Sequence, residues 1–233
     1  VKVIDIALSE EEYAFAVNKS DDELLAKANE YLAKIKADGT FDAICNKYFG
    51  DGTPTKITSS TLDESKDQLV VATSTGFEPF EMVDENGKFY GVDLEIAAGL
   101  AEYLGKELVI QDMKFEAVIT SVQTGICDIG MAGLTVTEKR KASVNFGDSY
   151  YNASQVLIVP EECTVFDSCK TADDVVAILD KLTKSNKIGC QTGTTGETYI
   201  VGDADKGDDG YGFKGLPATK MGYDYAALAV TAM

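Results

Sequence analysis

Histidine is absent from this chain of 233 residues. That excludes a Cys/His nucleophile and a Cys/His zinc site. Arginine occurs once, as Arg140, and every other cationic side chain is a lysine. No run approaches the roughly 20 apolar residues of a membrane-spanning helix. No secretory leader is recognisable and the first residue is Val1, so the chain reads as a mature form or an excised piece. Positive charge is scarce: 21 Lys and Arg stand against 39 Asp and Glu, a formal charge of -18. Such a surface repels nucleic acid and anionic membrane, so nucleic acid is not expected as a partner. The one phosphate-loop-like stretch, "TGTTGE", lacks the lysine of a nucleotide-binding loop. No cofactor is expected.

What is present is enough for a core. Hydrophobic residues make up 45% of the chain, and the length allows one large domain or two lobes. Five cysteines, an odd number, leave at least one outside any internal pairing. Cys163 and Cys169 lie close together in "EECTVFDSCKT" and can form a small disulfide, while Cys45 and Cys127 sit in apolar patterns and read as buried thiols.

Residues 1–19 read as short strands around a polar turn. "SDDELLAKANEYLAKIKADGT" reads as an amphipathic helix with a Ser20/Glu23 capping box, an apolar stripe of Leu24, Leu25, Ala28, Leu32 and Ile35, and a stop at Gly39. A shorter helix runs through Phe41, Ile44, Cys45 and Tyr48 to Gly50. Residues 51–68 have the Gly/Pro/Ser/Thr composition of a linker. Then "LVVAT", "VDLEIAAGLAEYLGK", "ELVIQ", "FEAVITSVQTG" and "CDIGMA" alternate strand and helix, which predicts a mostly parallel sheet covered by helices. "QVLIVP" adds a strand. "TADDVVAILDKLTKS" is a helix, "KIGCQT" a strand running into the Gly/Thr turn of "GTTGETYI", and "YDYAALAVTAM" a last helix.

An α/β sheet binds its ligands beyond the carboxyl ends of its strands. There the sequence offers "STGFEPFE", "MKFEAV", "AGLTVTEKR" and "QTGTTGE". Gly133, after Ala132, lets backbone approach a ligand closely. Thr135 offers a hydroxyl, the helical turn after it offers free N–H groups, and Arg140 offers a planar two-pronged donor that fits a carboxylate as lysine cannot. A surface ion pair needs no arginine in a chain that uses lysine everywhere else. Phe77 and Phe115 suit either core packing or a clamp on a ligand side chain. The hydroxyls of Thr194 and Thr195 suit a carboxylate or a polar side chain.

"LVVATSTGFEPFE", "GKFYGVDLEIAAGLAEYLGKEL", "AGLTVTEKRKASVNFGDSYYNASQVLIV" and "IGCQTGTTGE" resemble the polar amino-acid binding proteins of ABC importers, the family-3 extracellular solute receptors. The resemblance implies a two-lobed Venus-flytrap α/β fold, each lobe a mostly parallel sheet flanked by helices. "LLAKANEYLAKIKADGTFDAICNKYFG" resembles that family's C-terminal signature, here placed first. The order is that of a circular permutant or of a slice across two tandem receptor units. On this reading residues 1–17 are second-lobe strands leading to a hinge, 18–50 helices packing on lobe 1, 51–68 a linker, 69–158 lobe 1, and 159–233 a truncated lobe 2.

The resemblance also implies roles. Arg140 would hold an α-carboxylate with Thr135 and the backbone at Gly133, Phe77 and Phe115 would sandwich the ligand side chain, and Thr195 would bond the carboxylate after closure. Gln191 sits where some relatives read the side chain. Ser74 sits where many carry an aspartate, so arginine and lysine are expected to bind no better than glutamine unless Glu81 or a further segment compensates. The family's acceptor for the ligand's α-ammonium falls in a segment absent from these residues. A neighbouring receptor unit is then a candidate to complete the site, and Val1 and Met233 are expected on one lobe. The implied function is binding without catalysis: an extracytoplasmic receptor, membrane-anchored in its full form, that passes a free amino acid to an ABC transporter permease. Two alternatives stay open. One is a ligand-sensing module of a signalling protein. The other is a dehydratase of cyclic acids, whose acid–base work would fall to Glu78, Glu81 or Glu197.

Overall fold

The computed structural model describes residues 1–203 and 213–233. The first third holds β1 (Lys2–Ile4), β2 (Glu11–Tyr13), β3 (Ala16–Asn18), α1 (Asp22–Ala37), α2 (Thr40–Phe49) and β4 (Gln68–Thr73). The middle holds β5 (Met82–Val83), β6 (Phe89–Tyr90), α3 (Val92–Leu104), β7 (Glu107–Asp112), α4 (Phe115–Gln123), β8 (Ile129–Gly130), α5 (Glu138–Lys141) and β9 (Val144–Phe146). The remainder holds β10 (Tyr151–Ala153), β11 (Leu157–Val159), α6 (Ala172–Leu179), β12 (Lys187–Gln191), α7 (Thr195–Val201), β13 (Thr219–Tyr223) and α8 (Ala226–Thr231). The fold is the α/β class expected. Two compact units form, Glu12–Tyr151 and Val1–Glu11 with Asn152–Met233, so Val1 and Met233 belong to the same unit.

The unit of residues 12–151 is built on a five-stranded sheet of order β7-β4-β8-β3-β9. β4 is parallel to β7 and β8, and every one of its residues is buried. A strand covered on both faces has no polar side to show, hence the unbroken apolar run of "LVVA". Successive residues of β7 serve opposite faces. Val109 joins Val70, Ala72, Val118 and Val122, the last two from α4, whereas Ile110 joins Leu94 of α3 and Ile57. α1 buries Leu24, Ala28, Tyr31, Leu32 and Ile35. Tyr31 is accepted because α3 has Gly99 opposite it, where a Cβ would lie 1.9 Å from the Tyr31 hydroxyl. Glycine inside a helix costs about 0.5–1 kcal/mol relative to alanine, and here it makes room for a buried aromatic ring.

Several local expectations change. The cap of α1 is Asp21, whose carboxylate accepts the Leu24 N–H at 2.9 Å, and Ser20 instead donates to Asn18. The first turn begins one residue later than the Ser20/Glu23 spacing implies. Leu25 is half-buried and Tyr31 takes its place in the stripe. The sheet is mostly parallel, as expected, with β3 alone running antiparallel between β8 and β9. Residues 51–68 are not a free linker. Ile57 exchanges both backbone hydrogen bonds with Phe89, Ser60 N–H donates to Leu108, and Ser59 accepts the Ile110 N–H. Burying Ile57 between Leu94 and Ile110 pins this strap to the edge of the sheet.

In the other unit β1 pairs antiparallel with β11, and β12 runs parallel to β13, a strand the sequence reading did not single out. Ile4, Val159, Phe166, Val175 and Leu179 form its core. α6 opens with a full capping box between Thr171 and Asp174. The Cys163–Cys169 disulfide is not formed. All five thiols are free, and these two are half-buried against the Phe166 cluster, where a thiol packs as a small apolar group. Cys127 is buried as expected, whereas Cys45 is only half-buried. Among the described residues no helix is long and apolar enough to cross a membrane.

Candidate functional site

Each unit carries part of the expected residue set. In the unit of residues 12–151, β4 ends at Thr73 and the chain turns through Ser74 to Glu81. The turn is locked to β7, because Asp112 accepts from Thr75 N–H at 2.9 Å and from the Thr75 hydroxyl at 2.6 Å. The Phe77 N–H donates to the Glu81 carbonyl at 3.1 Å. The Phe77 ring stacks on Phe80 with centroids 5.4 Å apart, and Tyr13 stands edge-on to both. Phe77 is half-buried. One of its faces is therefore backed by core while the ring remains partly accessible.

The loop after β8 is shaped from beneath. Ala132 is buried in the α4 cluster. Gly133 has φ +51°, and a Cβ there would lie 2.7 Å from Phe77 Cε1. Its N–H donates to Asp93 Oδ2 at 2.8 Å, and the Tyr150 hydroxyl donates to the same carboxylate at 2.7 Å. Burial pushes Asp93 up to about 7, against the opposing pull of these two bonds. The Gly133 N–H is thus spent inside the fold, and what the loop can present at Gly133 is its carbonyl.

Substituting Gly133 tests this shape. Gly133→Ala forces an L-residue into left-handed backbone against the Phe77 ring and is expected to cost about 1–3 kcal/mol of stability. Urea denaturation measures it, and an unchanged midpoint would show that the loop is not held against Phe77.

Arg140 lies in α5, whose N–H at that residue is capped by the Thr137 hydroxyl at 3.1 Å. One of the N–H groups that the sequence offers there, that of Arg140, is therefore already used by the cap. The contacts that place the guanidinium include two on its own unit. Its Nη1 donates to the Thr135 carbonyl at 2.7 Å, and its carbon sits 5.3 Å from the centroid of the Phe115 ring. Thr135 is buried and bridged to Tyr13 across an antiparallel pair. The structure thus joins Phe77 to Gly133, and Thr135 to Arg140 and Phe115.

Ser74 is buried with its hydroxyl lacking a hydrogen-bond partner among the described residues. Glu81 is fully buried, and among the described residues neither carboxylate oxygen has a hydrogen-bond partner. Burial, and then the negative charges of Asp93 and Asp112, hold Glu81 well above the usual carboxylate range. A buried polar group without a partner is costly, so the position calls for an explanation.

In the other unit, β12 ends at Gln191. The Thr194 hydroxyl donates to the Gln191 carbonyl at 2.8 Å and accepts the Glu197 N–H, so it is used up in the turn. Glu197 accepts the Gly193 N–H at 2.6 Å and pairs with Lys220, which makes it a turn-holding residue. The Thr195 hydroxyl donates to Glu11 Oε2 at 2.8 Å. Glu11, Asp93, Tyr13 and Tyr150 were not anticipated. Each looks ordinary in sequence, Asp93 as an acid in a first helical turn and Glu11 as one of three consecutive glutamates.

Residues 69–195 match the family described as bacterial extracellular solute-binding proteins, family 3. A probable histidine-binding protein of Neisseria gonorrhoeae is 32% identical over 130 residues, which is 56% of this chain and 44% of that protein. An ancestral arginine-binding protein solved with arginine superimposes with a TM-score of 0.56 at 31% identity, over 71% of this chain and 65% of the other. An ancestral amino-acid-binding protein described as a precursor of cyclohexadienyl dehydratase gives 0.56 at 29% identity, over 71% and 64%. The chain spans less than half the length of that curated relative and under two thirds of each of those two solved structures. With more than half of its residues matched and the strand-end residues assembled as described, the chain belongs to family 3 of the bacterial extracellular solute-binding proteins.

Proposed function

We propose that the chain is the ligand-holding part of an extracytoplasmic receptor for an α-amino acid with a cationic side chain, delivered to the permease of an ABC importer. The observation that carries the amino-acid reading is Arg140, the one arginine, set by the Thr135 carbonyl and the Phe115 ring beside a glycine loop. A guanidinium so placed matches a carboxylate two-pronged, and Phe77 and Phe115 offer flat faces to an aliphatic or planar stem. The cationic preference rests on Glu81. Ser74 brings no charge, and the unpartnered carboxyl seven residues further on makes good that loss. Relatives named for binding histidine and arginine support the same direction. The C-terminal signature placed ahead of "LVVAT" is read as a shifted order of one receptor. β1 pairing with β11 and β3 lying between β8 and β9 support it, because residues 1–50 fold together with the segment that matches the family.

Binding, and not turnover, is the reading favoured. Glu197 is engaged in its turn and Glu78 is exposed, which leaves Glu81 as the buried candidate acid. The test is a thermal-shift screen of this chain against the free amino acids, with a cyclic carboxylic acid included and its consumption followed. A ligand at 100 times its Kd adds about 2.7 kcal/mol, roughly 5–10 °C in Tm for a chain of this size. Arginine, lysine or histidine is expected to give the largest shift. Glutamine outranking all three would remove the cationic preference. No response to any amino acid, or turnover of the cyclic acid, would remove the receptor reading.

A further inference from the structure

Asp93 is an acid with no exposed surface, set in the first turn of α3. Its backbone is fixed, because its N–H donates to the Phe80 carbonyl at 3.0 Å and the Val92 N–H before it to the Pro79 carbonyl at 3.0 Å. Its carboxylate takes donors from two further segments, the Gly133 N–H at 2.8 Å and the Tyr150 hydroxyl at 2.7 Å. Those donors flank one loop. Gly133 lies just ahead of Thr135, whose carbonyl holds the Arg140 guanidinium at 2.7 Å. On the other side of the loop, the Ala14 N–H donates to the Leu134 carbonyl and the Val136 N–H to the Glu12 carbonyl. Tyr150 holds that flanking strand in turn, its N–H donating to the Tyr13 carbonyl at 2.9 Å. Asp93 therefore grips the loop directly at Gly133 and from its far side through Tyr150, all within the unit of residues 12–151.

The protonation state of Asp93 determines whether it can do both. A carboxylate accepts from several donors, whereas a carboxylic acid turns one oxygen into a donor that needs an acceptor of its own. The Gly133 N–H cannot accept, and the Tyr150 hydroxyl accepts only by turning its own proton elsewhere. A proton on Asp93 thus costs one of the two bonds and the charge that strengthens both. The first turn of α3 favours the ionised form. The titratable groups that bear on it are Glu81 in the turn after β4, Tyr150, itself close to Tyr13 of β2, and Cys45 of α2. Burial pushes Asp93 up to about 7 against the pull of the Gly133 and Tyr150 bonds, so both forms are populated near neutral pH.

We infer that Asp93 is a positioning residue for the carboxylate-binding loop: ionised, it holds Gly133 and Tyr150 in the arrangement that sets Arg140, and a proton taken up there loosens the loop and weakens ligand binding. This rests on the amino-acid reading above. Binding then favours the ionised form and releases a proton, so affinity is highest above about pH 7 and declines as pH falls through it.

Glu81→Gln removes the other buried acid linked to arginine binding, so calorimetry of arginine on that variant from about pH 5.5 to about pH 8.5 isolates Asp93. Affinity is expected to fall roughly fivefold to tenfold toward the acid end. Adding Asp93→Asn, which keeps an acceptor for the Gly133 N–H but cannot ionise, should give the weaker affinity at every pH. Adding Tyr150→Phe instead removes one of the bonds that keep Asp93 ionised, so the midpoint of the decline should move to higher pH. A residue that only supports the fold would leave that midpoint in place, and this second variant decides the question if the first does not fold. Affinity flat with pH in Glu81→Gln, a decline that persists with Asp93→Asn, or a midpoint unmoved by Tyr150→Phe would overturn the inference while leaving the receptor reading intact. A parent chain that does not bind arginine would overturn both.

Discussion

Arg140→Ala is expected to lower amino-acid affinity by roughly thirty-fold to several-thousand-fold, from a loss of about 2–5 kcal/mol at 1.4 kcal/mol per decade. The size follows from what replaces the side chain. Alanine offers no donor, and the positioning contacts to the Thr135 carbonyl and the Phe115 ring vanish with the guanidinium. Arg140→Lys is expected to recover only a small part, because an ammonium cannot make the two parallel bonds of the fork. Titration calorimetry reads both variants. A loss under threefold for Arg140→Ala would exclude Arg140 from the carboxylate site. The fold should survive, since Arg140 is only partly buried and lies in a helix of four residues.

Glu81→Gln is expected to have two effects of opposite sign. In the free protein the carboxyl is fully buried, and burial together with Asp93 and Asp112 raises its pKa well above the ordinary value. The folded state therefore holds a proton that the unfolded chain has released, from the unfolded pKa of about 4.5 upward, and stability falls as pH rises through that window. Glutamine removes that contribution, so the variant should melt higher than the parent near neutral pH. Asp93 remains, itself raised to about 7, so the decline with pH is reduced and not abolished. Ligand binding should move the other way. A cationic side chain favours the ionised carboxylate, so arginine binding should release a proton and strengthen with pH in the parent. In Glu81→Gln arginine should weaken by about tenfold or more and lose much of that pH dependence, while glutamine should be little changed. Calorimetry at several pH values in two buffers of different ionisation enthalpy measures both. Arginine affinity that is independent of pH in the parent would rule out Glu81 as the partner of the cation.

Local pattern and tertiary context divided the determination of this protein along a physical line. α3 was legible because its apolar spacing, its first-turn acids and Gly105 at the left-handed cap all act within one helix. β4 was legible because burial on both faces leaves an unbroken apolar run. The loop carrying Gly133, Thr135 and Arg140 was legible because a lone arginine after a glycine turn is a choice of chemistry, visible without coordinates. The antiparallel insertion of β3 and the docking of residues 51–68 were not, because each depends on a partner strand far along the chain.

The same holds for the electrostatics. Glu81 is one of many glutamates in an acidic sequence, and only the packing around it strips both oxygens of partners. Glu11 and Thr195 are 184 positions apart, and only the fold sets the hydroxyl proton toward the carboxylate. Sequence by itself determined the α/β class, the family and the place of the lone arginine after its glycine turn, because these rest on local periodicity and residue type. Tertiary structure alone decided which carboxylates are buried and which way their hydrogen bonds point, because desolvation and donor direction arise from groups brought together across the chain.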